Sequence, residues 1–417
     1  MSAVPLLEEQ GGIPTVVADR GMGTDMGADA GQARRSLAIY PASAGYDLVE
    51  ELEYLGARAI EPNLFFNPRF LAPAMPRLDD REVRLAVIRD NAGARTRLRL
   101  LVPFTVERAA PPFGTSILRA WSNPFGPLGT PLVDHDDPAG VIEDFFAMLA
   151  RPHLNLPRVF ALPEVRLDGP FAALLGQFAE ARGLPLAIVN QAERPHLQSQ
   201  MQGEAYLRAT LGGRQSRELG RQKRRLTELG RLDYTIARQP EEIRLAIETF
   251  LALEASGWKG RARTAMAVDR YRAAFVREAT QRLAERDLCR VYELTLDGTA
   301  IASLVVFIEA GVAYTWKTAY QEDHSSHSPG VLLMAEVTKS LLEDPNVEIA
   351  DSCTVPDHPV MCRMWGEKRQ IGTLVIGLTP DAGAQTRQAA AQLHLYRNTR
   401  NAVRILRDRI KRALGRD

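Results

Sequence analysis

The stretch LCRVYELTLDGTAIASLVVFIEAGVAYTWKTAY (residues 288–320) decides the fold of the second half of this chain. It contains three runs rich in apolar and β-branched residues, and the turn pair Asp297–Gly298 separates the first two. An Asp-Gly pair between such runs is typical of a β-hairpin. The sequence therefore predicts three successive antiparallel strands over 288–297, 300–310 and 311–320.

The next stretch, HSSHSPGVLLMAEV (324–337), runs from polar turn residues into an apolar helical pattern. Ser328 suits an N-cap, Pro329 suits the first helical position, and Gly330 allows a close approach of a ligand. A helix start exposes unpaired N–H groups and the positive end of the dipole, which favours a bound phosphate or carboxylate. The same residues also simply start a helix well, so both interpretations stay open at this point.

Regular elements continue on both sides of this junction. Two helices are predicted before the strands, and a strand (346–353), a helical segment and a last strand (371–379) after them. In the first half, predicted strands alternate with predicted helices from residue 36 onward. The pattern predicts an α/β (α+β) protein with a mixed central sheet and helices on both faces.

The composition excludes several classes of protein. With 52 basic and 51 acidic residues the net charge is +1, so the whole chain has no polyanion-binding signature. Three cysteines without CxxC spacing argue against a disulfide framework and suit a reducing cytoplasm. No apolar stretch reaches the length of a membrane span, and the N-terminus lacks a secretory signal pattern.

Four segments carry a resemblance to a known group. They are GTPLVD (129–134), RELGRQKRRLTELG (217–230), LEASGWKGRARTAM (253–266) and SPGVLL (328–333). With the order of elements, they make roughly residues 36–380 resemble the GNAT acyltransferase fold. The resemblance is to the branch that contains CelD/BcsL-like exopolysaccharide proteins and Fem-type peptidoglycan aminoacyltransferases.

The resemblance implies two tandem GNAT-like domains, of which the second is better preserved. The predicted parts are a disordered leader (1–35), a degenerate first domain (36–200), a basic linker helix (201–232), a GNAT acyltransferase domain (233–382) and a basic amphipathic helix (383–417).

Acyl-CoA is the donor that the resemblance implies, with no metal. The residues predicted to bind it are Lys317, Ser328, Gly330 and Val331. The usual pyrophosphate motif of the family has two glycines, whereas QEDHSSHSPGVLL has one. The donor is therefore left open between acyl-CoA, acyl carrier protein and aminoacyl-tRNA. His324 and His327 lack a third ligand at a metal-binding spacing.

In the family, the strand corresponding to 346–353 splays from its neighbour, and the acyl end of the donor enters the gap. Asp351, His358 and His324 are the predicted proton acceptors. Alternatively, Asp351 forms a turn and Cys353 fills the core or acts as a nucleophile. The residues predicted to bind the acceptor are Trp258, Lys259, Arg363, Trp365 and Arg369. The alternatives for the first two are a core residue and a lysine at a helix end.

These features predict a cytoplasmic enzyme that transfers an acyl group from acyl-CoA to an amine or hydroxyl of a cell-envelope lipid or glycan. Three alternatives remain: a sphingoid-base N-acyltransferase of the bacterial ceramide synthase type, a Fem-like transferase that uses aminoacyl-tRNA, and a non-catalytic scaffold of exopolysaccharide synthesis. In the tRNA alternative the basic helix 214–231 contacts RNA phosphates. The basic stripe in 393–417 predicts contact with an anionic membrane, or else a helix packed on the protein with a solvated basic face.

Overall fold

The structure, a computed structural model, describes residues 4–10, 35–90 and 97–413. Its first part alternates strands and short helices, as the sequence predicts. The strands are β1 (Leu7–Gln10), β2 (Arg35–Pro41), β3 (Arg84–Asp90), β4 (Arg97–Arg108), β5 (Ser116–Ala120), β6 (Leu132–Val133), β7 (Val159–Arg166) and β8 (Leu186–Leu197). The helices are α1 (Ala44–Asp47), α2 (Val49–Gly56), α3 (Pro68–Leu78), α4 (Pro138–Leu149) and α5 (Pro170–Ala181).

The second part contains the predicted three-strand meander, followed by a helix, a strand, a helix and a strand. Its strands are β9 (Leu232–Ala237), β10 (Cys289–Leu296), β11 (Thr299–Glu309), β12 (Val312–Tyr320), β13 (Ile349–Asp351) and β14 (Glu367–Gly377). Its helices are α6 (Gly203–Leu229), α7 (Pro240–Ser256), α8 (Trp258–Arg261), α9 (Arg270–Ala284), α10 (Pro329–Glu343), α11 (Met361–Met364) and α12 (Gly383–Ala413).

The strands form one mixed sheet in the order β1-β2-β3-β4-β5-β7-β14-β8-β13-β12-β11-β10-β9, with β6 beside β4. Two neighbouring pairs are parallel, β5 with β7 and β12 with β13. Each of these pairs follows an antiparallel meander, so the two halves repeat one plan. The edge strand β9 was not predicted, because it is short and its apolar alternation covers only Leu232, Tyr234 and Ile236.

The two halves exchange strands at their junction. The last strand, β14, lies between β7 and β8 of the first half, where Leu374 and Ile376 join that half's core. In return, the end of β8 pairs with β13, with Leu197 opposite Ala350. The predicted boundaries 36–200 and 233–382 follow the chain, whereas the sheet crosses them.

Helices cover both faces of the sheet, as predicted. On one face, α3 of the first half packs against α9 of the second. Phe70 and Phe275 meet edge to face there at 5.2 Å, next to Phe307 and Trp316. Buried residues from both halves therefore form one continuous apolar cluster, and its burial favours a fixed arrangement of the halves.

Two local predictions are wrong. Part of the supposed leader forms β1, which pairs with β2 through Leu7 and Ile39. Main-chain hydrogen bonds hold this edge strand, and because they do not depend on the side chains, the sequence needs no apolar periodicity there. Residues 11–34 of the leader and the predicted turn 91–94 lie outside the described residues. Helix α7 ends before Gly257, whose extended backbone interrupts it, so Trp258 and Lys259 begin α8 instead.

The last helix, α12, is docked on the sheet over its first turns. Ala389 and Ala390 are buried there, and the Gln392 side chain accepts a hydrogen bond from the Thr115 N–H at 2.8 Å. Within the stripe 393–417, Arg397 donates to the Asn190 carbonyl at 3.2 Å, so the packed-helix alternative applies to the start of the stripe. Side chains from residue 400 onward lie outside the description, so membrane contact through 393–417 stays a prediction. Within the described part of the chain, no helix combines the length and apolar content that crossing a membrane requires.

Candidate active site at the gap between β12 and β13

A gap opens in the sheet between β12 and β13. The two strands pair only over Val312–Tyr314 and Ile349–Asp351. Strand β12 then continues to Tyr320 without β13 as its neighbour. This separation matches the splay that the family resemblance implies, and it leaves one edge of β12 without β13 as a neighbour beyond Tyr314.

A β-bulge distorts β12 just beyond the last pair. Lys317 lies opposite Val305, and Thr315 opposite Val306, so Trp316 is an extra residue without a partner on β11. Bulges increase strand twist, leave the extra residue unpaired and re-aim side chains, and they are frequent beside active sites.

Lys317 reaches from β12 to a loop of the first half. Its Nζ donates to the Pro124 carbonyl at 3.1 Å and lies 4.7 Å from the centre of the Phe125 ring. Burial, together with the nearby charges of Lys259 and Arg272, lowers the pKa of Lys317 to about 8. The ammonium group is therefore still the main form at neutral pH, although it loses its proton more readily than an exposed lysine.

Asp351 and Cys353 lie on the opposite side of the gap. Asp351 Oδ1 accepts the Cys353 N–H at 2.8 Å, and Oδ2 lies 3.6 Å from Nη1 of the buried Arg194. Both carboxylate oxygens are thus engaged, which supports the turn-forming alternative for Asp351 over the predicted proton acceptor. Burial raises the pKa of the Cys353 thiol well above its ordinary value, so the thiol is not an activated nucleophile.

His358, another predicted base, follows the same strand in the chain. Its Nδ1 accepts the Met361 N–H at 3.3 Å, and burial lowers its pKa. The ring is therefore neutral at physiological pH, and Nε2 makes no hydrogen bond within the described part of the chain. His324 lies on the 3₁₀ turn Glu322–His327, ahead of α10.

Helix α10 begins at Pro329, as predicted, but its cap differs from the prediction. Ser328 has a left-handed backbone (φ 48°), and its side chain makes no capping bond. Its carbonyl instead accepts the N–H groups of Val331 (2.9 Å) and Leu332 (3.1 Å). Among the described residues, no acceptor faces the Gly330 N–H, which leaves that donor for a ligand.

Gly330 lies unusually close to β12. A Cβ atom there would approach Cδ1 of Tyr320 to 3.3 Å, tighter than most real contacts. The missing side chain keeps the path to the helix start open. Close packing thus explains a glycine at this position, and the contact of Gly330 with a cofactor stays a prediction.

Glu322 ties α8 to this helix start. Its carboxylate accepts the Trp258 N–H and, at 2.6 Å, a guanidinium N–H of Arg261. Lys259 forms a 2.8 Å ion pair with the buried Glu254. The predicted residues Trp258 and Lys259 therefore lie beside the turn that precedes α10. The core alternative for Trp258 is wrong, because 54% of this residue is exposed.

Three other predicted acceptor residues are placed differently. Trp365 is fully buried and its Nε1 donates to Thr338 Oγ1 at 3.0 Å, so its predicted contact with an acceptor is wrong. Arg363 bonds the Pro359 carbonyl of its own turn at 2.6 Å. Arg369 lies on β14 and binds Asp168 of the first half at 3.2 Å, because β14 crosses into that half.

The sequence did not indicate which residues of the first half reach the gap. The loop WSNPFGPLGT (121–130) supplies Pro124 and Phe125, and the Phe125 carbonyl accepts the Trp316 Nε1–H at 2.6 Å. Its Gly and Pro content indicated a loop, and loops often carry function. Nothing in its sequence, however, indicated that it covers β12 of the other half.

One group of side chains in the described part has the spacing of metal ligands. Ligand atoms of Asp134, His135 and Asp136 lie within 4.8 Å of one another. Both carboxylates already pair with Arg58 and Arg99, so they are committed to a salt-bridge network. The group therefore supports no metal centre, and the absence of metal from the reaction stays a prediction.

Comparison with known families decides the identity of the second half. Residues 213–354 match the model of the "Acetyltransferase (GNAT) domain". This part of the chain is a GNAT domain. The match covers less than half of the chain, and it includes the β12 bulge, the α10 start and the residues up to Thr354 beyond β13. A search of curated proteins finds no match.

Solved structures extend the likeness beyond the GNAT domain. FemX superposes with a TM-score of 0.52 at 9% identity, covering 78% of this chain and 95% of FemX. The C-terminal domain of a "Putative Lysylphosphatidylglycerol Synthetase" from Agrobacterium fabrum gives 0.49 at 13%, covering 83% and 96%. A tandem GNAT protein of clavulanic acid biosynthesis gives 0.41 at 15%, covering 82% and 99%. The chain thus shares its fold with FemX over most of its length.

Proposed function

We propose that this protein is an N-acyltransferase that moves an acyl group from a CoA thioester to an amine held at the β12–β13 gap. The observation that carries the proposal is the position of the gap. Strand β12 separates from β13 after Tyr314. The end of β12 at Tyr320 packs beside Gly330, the second residue of α10. A thioester in the gap and its diphosphate near Gly330 would then occupy neighbouring parts of one site.

Direct transfer needs only groups that line this gap. The acceptor nitrogen attacks the thioester carbonyl carbon, a C–N bond forms and the C–S bond breaks. The nitrogen gives its proton to a base, for which the neutral ring of His358 is suited, and the departing thiolate takes up a proton. Lys317, as an ammonium, is suited to stabilise the negative charge that develops on the carbonyl oxygen.

A second candidate donor is aminoacyl-tRNA, because one surface favours it specifically. The outer face of α6 bears an open depression of about 660 Å³. Its lining consists of Arg214, Arg217, Glu218, Gly220, Arg221 and Arg224. The four arginines and one glutamate give the depression a net positive charge, which suits binding of a phosphate backbone. The Fem-related fold supports this donor about as well as CoA.

The two donors differ in how binding responds to salt. If tRNA is the donor, its binding weakens steeply between 50 and 200 mM salt, and Arg214→Gln with Arg224→Gln lowers both the affinity and the salt slope. The CoA proposal predicts that this double variant leaves transfer from acyl-CoA within about twofold of the wild type. Electrophoretic mobility shifts and the transfer assay below separate the two.

The acceptor we propose is an amine of an envelope lipid or glycan, with a sphingoid base as the alternative within lipids. Purified protein with isotope-labelled acyl-CoA and a total lipid extract should yield one labelled amide by mass spectrometry, with an equal amount of free CoA thiol. His358→Gln should lower this rate about a hundredfold, whereas His394→Gln, a distant histidine on α12, should not. Absence of transfer with every acyl-CoA would favour the tRNA donor or the scaffold alternative.

A further inference from the structure

The segment 258–272, which joins α7 to α9, presents large apolar side chains to solvent. Trp258, Val268 and Tyr271 are 54%, 52% and 51% exposed. Only Ala265 and Met266, near its middle, are buried. A folded protein gains nothing by exposing a tryptophan, a valine and a tyrosine within one short segment, so such a surface indicates a partner.

The same segment concentrates positive charge. It contains one acidic residue, Asp269, and five basic ones: Lys259, Arg261, Arg263, Arg270 and Arg272. The whole chain has a net charge of only +1, so this excess is local. Within the described residues, Arg263 and Arg270 form no ion pair. Arg270 instead lies over the Tyr271 ring, 4.7 Å from its centre, and donates to the Tyr271 hydroxyl at 2.7 Å.

The segment is held firmly against the protein. The buried Glu254 accepts the Met266 N–H at 2.7 Å and pairs with Lys259. Glu322, on the turn ahead of α10, binds Trp258 and Arg261. The exposed side chains therefore project from a fixed base, and that base adjoins the helix start that borders the gap.

We infer that residues 258–272 dock on an anionic lipid bilayer. Exposed tryptophan and tyrosine beside lysine and arginine suit the boundary between headgroups and acyl chains, where the rings are partly buried and the cations meet lipid phosphates. A nucleic acid would use the charges but not Val268, and a purely apolar partner would not use the arginines. The arginine face of α6 lacks exposed aromatic residues, so it does not share this chemistry.

This docking surface deepens the proposed function and rests on it in one respect: if the gap transfers acyl groups, the acceptor amine is that of a lipid in the same bilayer. A lipid would reach the gap beside α8 without leaving the headgroup layer.

Trp258 is also the reporter that tests the inference. Of the four tryptophans, all within the described residues, Trp121, Trp316 and Trp365 are buried and Trp258 alone is exposed. Adding vesicles of phosphatidylcholine with phosphatidylglycerol to the full-length protein should shift its emission to the blue, and brominated lipids should quench it. Trp258→Phe should abolish both signals. An unchanged emission spectrum would overturn the inference.

Flotation of the same vesicles measures the partition directly. Arg263→Gln with Arg270→Gln should weaken partition about thirtyfold, because each basic residue near an anionic surface contributes about one factor of five or more. At high salt, Val268→Ser with Tyr271→Ser should reduce the partition into vesicles more than the arginine variant does. The matched control, Arg231→Gln with Arg244→Gln, removes two exposed arginines elsewhere and should change partition less than twofold.

If RNA or a second copy of the chain binds this surface, the measurements give different results. Equal partition of the wild type and the Arg263/Arg270 variant, RNA binding lost in that variant, or a dimer by light scattering that dissociates in the Val268/Tyr271 variant would each contradict the inference. Circular dichroism confirms that the variants are folded. Vesicle binding without transfer would refute only the proposed function, and transfer to a water-soluble amine without vesicle binding would refute only the docking surface.

Discussion

Lys317 is the residue at which stability and activity conflict. Its pKa of about 8 lies below the ordinary 10.5, so between these pH values the unfolded chain binds more protons than the folded one. Stability should therefore rise as the pH increases through this window. The cost of burying the charged group is fully present below pH 8.

Replacing Lys317 by Met should consequently stabilise the protein at pH 7, by about 1–3 kcal/mol, with the advantage decreasing towards pH 10. Transfer should fall about a hundredfold or more, because the positive charge beside the carbonyl oxygen is lost. Thermal unfolding at pH 7 and pH 9.5 and the transfer assay check both parts. A less stable Lys317→Met variant at pH 7 would contradict the burial of this charge.

The pH dependence of transfer offers a second check. In the wild type, kcat/KM should rise through the lowered pKa of His358, below its ordinary 6.5, and fall near pH 8 as Lys317 loses its proton. The alkaline decline should be absent from Lys317→Met. If that decline persists unchanged in the variant, another group is responsible for it.

The burial of Trp365 could not be predicted from the sequence. Its position on the segment after the splayed strand suggested an acceptor contact, but it is buried and its indole N–H donates to Thr338 of α10. Trp258 shows the opposite error, since its core alternative failed. A single sequence makes a tryptophan a candidate site residue, but it does not indicate whether the side chain faces the core or the solvent.

Trp365→Phe should therefore lower the free energy of unfolding by about 1–3 kcal/mol, through the lost hydrogen bond and the looser packing. The KM for either substrate should not change once the protein is folded. Urea unfolding and steady-state kinetics measure the two effects. A raised KM with unchanged stability would restore the original interpretation.

At the scale of elements, the order of the second half could be predicted because its strands are strongly apolar and its turns carry Gly, Pro and Asp. The start of α10 at Pro329 was predictable from local chemistry alone. Strand β9 was not predicted, since its alternation is limited to Leu232, Tyr234 and Ile236. The covering of β12 by the loop 121–130 depends on contacts between distant parts of the chain, which a local pattern does not contain.

The strand exchange gives an element-scale prediction. Strand β14 pairs along most of its length with β7 and β8 of the first half. Residues 201–417 expressed alone should therefore fail to fold, because β14 loses both of its partners and β13 loses β8. Circular dichroism and limited proteolysis test this, with residues 35–417 as the control. A stable, cooperative unfolding transition of the 201–417 piece would show that the halves are independent.

Considered as a whole, the molecule is one sheet with a continuous core from α3 to α9, although its sequence repeats the same plan twice. The first half supplies Pro124 and Phe125 to the gap, while the second half supplies Lys317, His358 and the α10 start. Both halves are needed for the site. The loop that the first half places over β12 is therefore a reason for that half to be retained.

The central claim is that the α10 start at Gly330 and the neighbouring gap bind CoA. Isothermal titration of the full-length protein with CoA and acyl-CoA tests it most directly, with Gly330→Val as the comparison, because this side chain would enter the space beside Tyr320. We expect one site per chain, tighter for acyl-CoA than for CoA, and affinity at least tenfold weaker in the variant with its folding intact. Absence of binding by the wild type, or equal binding by both proteins, would contradict the account.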